Sequence, residues 1–414
     1  MIKYFSKLNN KSFEDKYLFI FFSIFPITFL LGNLLINLFL LLINIIFLIK
    51  LFKKNYDFNL ENKILFYSLI FLFLSFLINL LFSDNFRLTY LRVLKFILIF
   101  GSILSFRQLI LIYEKNELKK LYCLWSLTFS IVFFDIILEL IFKKNIMGMS
   151  AIIPGRIASF SGNEMTIGHY FSAFSLFALS YFHLNFKKKN FGILIAIIFI
   201  IISFLIGERS NFVKTAISIS LFILIVYEIN LKYKVLSLSS IIIVFVLILN
   251  FNENYKIRYF NQFAKIITKD GINYYLDNSI YGAHYNVAKE IFKDNPIFGV
   301  GIKNYRIESF SKKYDDLDHK ENDKRGNTHP HQTHYEFISE TGLFGYSTFL
   351  TFILFSFGFF LKNYKKDKNL YQLSGMIYVL VALIPLLPSG SFFSTYTSGL
   401  FWINYAVMAG YIKK

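Results

Sequence analysis

Residues 187–212 read KKKNFGILIAIIFIIISFLIGERSNF, a lysine cluster followed by a long apolar run and a short polar turn. An α-helix rises about 1.5 Å per residue, so about 17 to 25 apolar residues cross the hydrocarbon core of a bilayer. The run from 190 to 206 carries no charged residue and reaches that length. Similar runs recur from end to end of the chain, which predicts an all-α membrane protein.

The composition of the chain agrees with a membrane protein and excludes several other classes. Of its 414 residues, 55% are hydrophobic and 20% are aromatic, which is more than a soluble domain of this size needs. The formal net charge of +18 comes from lysines clustered between apolar runs, a distribution typical of contact with anionic membrane lipids rather than with nucleic acid. The single cysteine, Cys123, excludes an internal disulfide and a multi-cysteine metal site.

The apolar runs predict a polytopic protein with about 12 transmembrane helices. The chain then divides into residues 1–250 with nine helices, residues 251–333 as one large loop, and residues 334–414 with three helices. We expect the spans at roughly 17–32, 34–52, 63–82, 88–111, 118–142, 164–184, 190–206, 211–229, 234–250, 334–361, 370–388 and 391–411.

The charges of the connecting segments predict the orientation of the helices, because Lys and Arg favour the cytoplasmic side of a membrane. Counted from a cytoplasmic N-terminus, the inside segments are basic, for example Lys187–Lys189 and Lys362–Lys368. The outside turns Gly32–Asn33 and Pro388–Ser391 have no basic residue. We therefore expect both termini in the cytoplasm, with the basic residues from Lys3 to Lys16 leading into an uncleaved first helix.

The large loop, residues 251–333, is expected on the outer face as a small helical cap. Apolar residues recur at helical spacing from 281 to 292, and this helix must end at Pro296. A tight turn rich in glycine follows. A second short helix is expected at 303–313.

The segment His329–His334 (HPHQTH) brings three histidines to the junction between the large loop and the tenth span. A metal site is one interpretation, but Pro330 prevents a regular helix and no nearby carboxylate stands at a metal-ligand spacing. A polar loop end at the level of the lipid headgroups is the second interpretation. The third is a histidine with a pKa near neutrality that transfers a proton at the membrane surface.

Three outer segments each place one arginine near the membrane face. Arg209 lies in a very short turn, where Glu208 either neutralises it or leaves its planar guanidinium for phosphate oxygens. Arg156 lies in a loop of small residues that lets a ligand approach the backbone, and a solvated loop arginine is an equally good interpretation. Arg258 stands between tyrosines, which is typical of an interfacial anchor.

Ionisable residues inside the predicted spans are costly and need partners. Asp135 and Glu139 are four residues apart on the fifth span, so they share one face of that helix. Arg92 and Lys95 lie in the outer half of the fourth span. We interpret these four residues as a structural pairing between the two spans.

The segment His329–Gly345, HPHQTHYEFISETGLFG, resembles the signature of the O-antigen ligase family. That signature is His followed by Asn, Ser or Gln, then nine residues and Gly-x-x-Gly, which here begins at His331. The stretch Asn295–Gly301 (NPIFGVG) is similar to the family's Pro-x-x-Gly-x-Gly turn, and Gly207–Asn211 is similar to its short arginine turn. A large periplasmic loop before the last three spans is similar too, so the resemblance covers nearly the whole chain.

The resemblance implies an inverting glycosyl transfer, independent of metal and cofactor, on the periplasmic face of the bacterial inner membrane. The donor would be a glycan on undecaprenyl diphosphate, and the acceptor would be a sugar of the lipid A core. His331 matches the catalytic histidine and Arg209 the diphosphate-binding arginine, while Arg156 and Arg258 match such arginines less distinctly. The supporting residues of the motifs are His329, Gln332, Gly299, Gly301 and Gly342.

Two alternatives accompany this ligase interpretation. O-antigen polymerases, which join lipid-linked repeat units, share the histidine motif with ligases, as do protein O-oligosaccharyltransferases. A transporter of lipid or glycan without chemistry is the alternative from another class. Transporters usually carry charges or broken helices near the membrane midplane, whereas the polar residues here gather toward the outer face. We therefore predict a membrane glycosyltransferase of the ligase type.

Overall fold

The computed structural model describes residues 11–56, 62–185, 189–385 and 387–412. Within these ranges the chain is all-α, as the sequence predicts, and it contains no strand. Several lysines that support the predicted orientation, namely Lys3, Lys7, Lys187 and Lys188, lie outside the described residues.

The helices follow the predicted order. Before the large loop they are α1 (Phe13–Leu31), α2 (Asn33–Phe52), α3 (Lys63–Leu81), α4 (Phe86–Ile112), α5 (Lys115–Phe142), α6 (Ile167–Asn185), α7 (Lys189–Leu205), α8 (Arg209–Val226) and α9 (Leu231–Phe251). The loop contains a π-helical segment (Lys256–Ala264), α10 (Lys265–Asp277), α11 (Ile280–Asp294) and the one-turn α12 (Tyr305–Glu308). The chain ends with α13 (Thr333–Asp367), α14 (Leu370–Ala382) and α15 (Thr395–Gly410).

In the part of the chain that the structure describes, seven helices are long and apolar enough to cross a membrane: α2, α3, α4, α5, α8, α9 and α13. A helix lies at each of the twelve predicted positions, but α1, α6, α7, α14 and α15 miss this standard by length or composition. In α1, for example, the first turn carries Glu14 and Asp15. The described residues thus form a multi-pass helical membrane protein, and twelve crossings stay a prediction.

Helix α14 is shorter than the predicted span at 370–388, because two prolines follow its end. The helix ends at Ala382, before Pro385 and Pro388. Proline has no N–H to donate and its ring clashes with the preceding turn, so a helix does not continue through it. Helix α15 correspondingly begins at Thr395 rather than at 391. The connecting segment, residues 383–394, contacts both the large loop and α8.

The helix ends collect at two ends of the bundle. We call the end that carries the large loop the loop end, and it comprises residues 82–86, 143–166, 206–209, 251–333 and 383–394. At the other end, the Lys50 ammonium lies 2.5 Å from the Asp15 carboxylate, and the Lys11 ammonium donates to the carbonyl of Ile112 at 2.9 Å. The connecting segments thus alternate between the two ends of the bundle, in the order that their charges predict.

Helix α13 breaks at Gly342, and the turn at 296–301 fills the break. Gly342 has φ of +61°, which interrupts the helix where the sequence predicts a continuous span. Four backbone hydrogen bonds of 2.8–3.0 Å join residues 296–301 to residues 339–344. Backbone groups at membrane depth must find partners inside the protein, so the turn satisfies the groups that the break would leave unpaired.

Two further features fix the contact between the 296–301 turn and the break in α13, which we call the crossing. The buried Asn79 amide of α3 donates to the carbonyls of Phe298 and Glu340 at 2.7 and 2.9 Å, and its oxygen accepts from the amide of Ile302 at 3.0 Å. Gly299, with φ of +68°, lies so close to α13 that a Cβ there would be 2.5–2.6 Å from the backbone of residues 340–342. The 296–301 turn therefore has a single register against α3 and α13.

The loop helix α11 packs against α13, and its extent confirms the helix predicted before Pro296. It runs from Ile280 to Asp294 and buries Tyr285, whose ring stacks on that of Tyr335 with centroids 4.7 Å apart. The second predicted loop helix, at 303–313, is wrong in extent: α12 has four residues. Outside these four residues, the described backbone of this segment is not α-helical.

We predict that Gly342→Ala lowers the melting temperature of the purified protein. A Cβ at this position would lie 2.4 Å from the carbonyl of Ile297, and the positive φ adds a strain of about 1–3 kcal/mol. The matched control is Gly358→Ala in the same helix, where a Cβ meets nothing within 4 Å and Ala is a better helix former. Equal melting temperatures for the two variants would contradict the account of the break.

Candidate functional site: histidines and arginines at the loop end

The first cation group comprises Arg156, Arg209 and Arg258, from three separate segments of the loop end. Arg258 donates through Nη2 and Nε to the carbonyl of Gly207 at 2.9 and 3.2 Å, and Arg209 Nη1 donates to the carbonyl of Arg258 at 3.2 Å. Burial, with the charges of Arg156 and Arg209, lowers the pKa of Arg258. The three arginines singled out in the sequence thus lie together.

Glu208 pairs with Arg156 and not with Arg209. One oxygen of the Glu208 carboxylate lies 3.5 Å from Arg156 Nη2 and accepts from the amide of Gly168 at 2.9 Å. Among the described residues no carboxylate forms an ion pair with Arg209, and its guanidinium lies 6.0 Å from the centre of the Phe263 ring. The interpretation that Glu208 neutralises Arg209 is therefore wrong, and Arg209 keeps its charge for a ligand.

The predicted pairing of Asp135 and Glu139 with Arg92 and Lys95 is wrong. Glu139 accepts from three backbone amides between residues 151 and 159, at 2.6–3.1 Å. Asp135 accepts from the Ser159 hydroxyl at 2.6 Å and from the amide at position 146 at 2.8 Å. A carboxylate inside a membrane helix needs several donors, and loop amides supply them as well as a cation does. The two carboxylates thus hold the loop that carries Arg156.

Three aromatic rings lie around that of His331. Its ring centroid lies 4.0 Å from that of His329, 5.2 Å from that of His284 and 5.6 Å from that of Tyr281. The backbone at His331 has φ of +57°, and its carbonyl accepts from the amide of Ser389 at 2.7 Å. The imidazole is thus held from several sides. No group of three His, Cys, Asp or Glu side chains in the described part of the chain is arranged to hold a metal ion.

The other motif residues support the backbone. Gln332 is buried, and its side-chain oxygen caps α13 by accepting from the amide of Tyr335 at 2.9 Å. Gly299 and Gly342 form the crossing described above, and Gly301 packs against the turn between α3 and α4. These residues position His331 by fixing the start and the break of the helix that follows it.

Burial keeps the histidines neutral. It lowers the pKa of His331 to about 3, and the charges of His329 and His284 act in the same direction. Burial, with the charge of Lys303, lowers the pKa of His329 to about 3, and burial also lowers the pKa of His284. At neutral pH the rings of His331 and His329 are therefore uncharged, and each keeps one nitrogen lone pair. The expectation of a histidine with a pKa near neutrality is wrong, because burial penalises the charged imidazolium.

Two neighbouring residues of the 383–394 segment join the arginines to the histidines. The amide of Ser389 donates to the carbonyl of His331, while the carbonyl of Pro388 accepts from the hydroxyl of Ser210, next to Arg209. Neighbouring Cα atoms are about 3.8 Å apart, so His331 and the first turn of α8 lie on the two sides of one dipeptide.

A cavity of about 30 Å³ lies beside this dipeptide, with room for about two waters. Asn211, two residues after Arg209, and Thr333, two residues after His331, both line it, so the cavity lies between the start of α8 and the start of α13. Other polar residues in its lining include His169, Lys214 and Ser389.

Sequence reasoning missed His284 and Lys214, because each stands alone in its helix and belongs to no motif. A signal for each was present. His284 falls on the apolar face of the predicted loop helix, where a polar side chain needs a partner. Lys214 falls inside a predicted span, and its ammonium donates to the carbonyl of Pro388 at 3.1 Å.

The fold and the site define a multi-pass helical membrane protein with neutral histidines and a cluster of arginines at one end, of which only Arg156 pairs with a carboxylate among the described residues. Residues 194–350 match the family model of the O-antigen ligases. This match supports the O-antigen ligase superfamily, as the resemblance predicts, and it indicates a membrane glycosyltransferase of the ligase or polymerase type with lipid-linked glycan substrates. The match includes Arg209, Arg258 and His331, while Arg156 precedes it. No curated protein matches the chain.

We predict that Glu139→Ala loosens the loop that carries Arg156. The substitution removes the acceptor of three backbone amides, two of them buried, and hydrogen bonds to a charged group contribute about 1.5–3 kcal/mol each. Hydrogen–deuterium exchange measured by mass spectrometry should then be at least about tenfold faster in residues 145–160. The matched control is Glu164→Ala, an exposed carboxylate of the same connection. Unchanged exchange in the Glu139 variant would show that other contacts hold the loop.

Proposed function

We propose that the protein is a ligase-type glycosyltransferase of the bacterial inner membrane. It moves a glycan from undecaprenyl diphosphate to a sugar of the lipid A core on the periplasmic face, with inversion and without metal or cofactor. One observation carries the proposal: neutral His331 and the start of α8, which carries Arg209, lie on the two sides of the dipeptide at 388–389. Acid–base chemistry and anion binding are thus adjacent.

The first cation group binds the donor diphosphate. Arg209 uses Nη1 for a backbone carbonyl, and its other N–H groups are available to phosphate oxygens. Arg156 Nε is buried and has no hydrogen-bond partner among the described residues. Guanidinium groups bind phosphate through paired N–H donors, and partial burial strengthens that interaction relative to water. These cations stabilise the charge that develops on the leaving group.

The acceptor hydroxyl attacks the anomeric carbon of the donor sugar. The bond from that carbon to the diphosphate oxygen breaks, and its electron pair leaves with undecaprenyl diphosphate. Attack on the face opposite the leaving group inverts the anomeric centre. The hydroxyl proton passes to the free ring nitrogen of His331, which burial keeps uncharged and so able to accept a proton. The rings of His329 and His284 hold that imidazole in place.

The proposed orientation puts both termini in the cytoplasm and the loop end in the periplasm. The basic segments at 50–54, 107–120 and 362–368 support it, because they lie at the end of the bundle away from the large loop. Positive charge marks the cytoplasmic side. The division into residues 1–250, 251–333 and 334–414 belongs to the same proposal.

We predict that His331→Ala folds and inserts but loses glycan transfer by about 100- to 10,000-fold, the usual contribution of a general base. The measurement is the transfer rate of the purified variant in detergent or nanodiscs, with size-exclusion elution as the check on folding. His319→Ala is the matched control, since this loop histidine bonds the carbonyl of Leu276 at 3.0 Å and belongs to no ring cluster around His331. Transfer by the His331 variant at the wild-type rate would remove the assigned role.

We predict that deletion of the gene leaves lipid A with a bare core. Electrophoresis of extracted lipopolysaccharide distinguishes this from the polymerase alternative, because loss of a polymerase leaves the core capped with a single repeat unit. Complementation with the wild-type gene restores the glycan, and complementation with the His331→Ala gene does not. A single-repeat cap in the deletion strain would reassign the protein to polymerisation.

A further inference from the structure

A second group of cations lies where the loop end meets α4, away from the arginines described above. This second cation group comprises Arg92, Lys95, Lys303 and Arg306. Two contacts place its α4 members beside its loop members. Thr89 Oγ1 donates to the carbonyl of Ile302 at 3.0 Å, and the Phe96 ring lies 5.8 Å from that of Phe393. Along α4, positions 92 and 95 lie between the contacts at positions 89 and 96. Because they are three residues apart, they share one face of that helix.

Two buried carboxylates of α13 neutralise only part of this charge. Glu336 accepts from the amide of Phe392 at 2.6 Å and from the Ser391 hydroxyl, and it lies 3.7 Å from the Lys303 ammonium. Glu340 accepts from the amide of Lys303 at 2.7 Å. No carboxylate among the described residues forms an ion pair with the other three cations. Four cations therefore face two carboxylates.

The ammonium of Lys95 is buried and has no hydrogen-bond partner in the described part of the chain. The positive charges of Arg92 and Lys303 act on it as well. A lysine in a membrane helix usually extends its side chain to the lipid headgroups, but this Nζ does not reach the surface. An unpaired buried charge costs several kcal/mol in general, so an anion is the partner that this group lacks.

The segment at 388–391 joins both cation groups to His331. The ammonium of Lys303 donates to the hydroxyl at position 391, and the amide of Ser389 donates to the carbonyl of His331. The carbonyl of Pro388 accepts from the hydroxyl at position 210, next to Arg209. The two cation groups thus reach different residues of this segment, and His331 bonds to the residue between them.

We propose that the second cation group binds a carboxylate or phosphate carried by the acceptor glycan near its reactive hydroxyl. This inference rests on the proposed function. In that reaction the donor diphosphate occupies the first cation group, so the glycan bound at the second cation group is the acceptor. The acceptor is therefore an acidic glycan, and the second cation group selects it and orients its hydroxyl toward His331.

The first experiment measures transfer by the full-length protein in nanodiscs, with donor and acceptor glycolipids extracted from the source strain and each varied in turn. We expect Lys95→Met and Arg306→Gln to raise the KM for the acceptor about tenfold or more, as loss of one charge-assisted hydrogen bond does, with the donor KM unchanged. Arg209→Ala should raise the donor KM instead. The matched control is Arg87→Gln, an exposed cation at the start of the same helix, with both KM values unchanged.

The second arm uses an acceptor whose acidic groups have been removed by carboxyl reduction and dephosphorylation. The wild-type protein should bind this neutral acceptor as weakly as the Lys95 variant binds the native one. A rise in donor KM for the Lys95 and Arg306 variants would put the anion on the donor and overturn the proposal. An unchanged acceptor KM for the variants, or for the neutral acceptor, would overturn it as well.

The third arm needs no transfer reaction and uses inorganic phosphate as the probe. In a variant that carries Arg156→Gln and Arg209→Gln, phosphate should still raise the melting temperature. Adding Lys95→Met should raise the melting temperature without phosphate, because an unpaired buried charge is removed, and should abolish the effect of phosphate. The anion site is contradicted if phosphate still raises the melting temperature after Lys95→Met is added, or if phosphate raises it in neither variant. If the wild-type protein transfers nothing, the proposed function fails while this arm still decides the site.

Discussion

The crossing of the 296–301 turn with the break in α13 is the constraint on which the rest of the structure depends. Peptide groups at membrane depth need partners, and the break at Gly342 exposes several that the turn satisfies. The same crossing fixes α11, and with it His284, against the first half of α13. Helix α13 begins at Thr333, two residues after His331. The backbone hydrogen bonds of the crossing therefore determine where the imidazole lies.

Three cations at or beside the loop end bond to backbone carbonyls rather than to carboxylates. Arg258 and Arg209 donate to backbone carbonyls, and Lys214 donates to the carbonyl of Pro388. A carbonyl dipole stabilises a cation without neutralising it, whereas a carboxylate would cancel its field. The membrane carboxylates Asp135 and Glu139 bond mainly to backbone amides. The site therefore combines positive potential with histidines that burial keeps neutral, which suits a diphosphate donor and proton transfer from a hydroxyl.

Hydropathy and motif spacing predict much of this from sequence, because each depends on local chain geometry. The apolar runs locate the helices, and the break at Gly342 coincides with a motif glycine. Partners far apart in the chain are not encoded locally. From the sequence, the predicted partner of Asp135 is a cation, whereas in the structure its hydrogen-bond donors come from a loop. The sequence also does not predict that the ring of His284 stacks on that of His331. The end of α14 was predictable from Pro385, but hydropathy alone extended the span across it.

The most direct test of the central claim is a cryo-EM structure of the full-length protein with undecaprenyl diphosphate bound. The account predicts density for the diphosphate against the guanidinium groups of Arg209 and Arg258, with the ring of His331 facing the position of the departing sugar. Diphosphate density at another part of the bundle, or an imidazole beyond the reach of a sugar attached to that diphosphate, would contradict it.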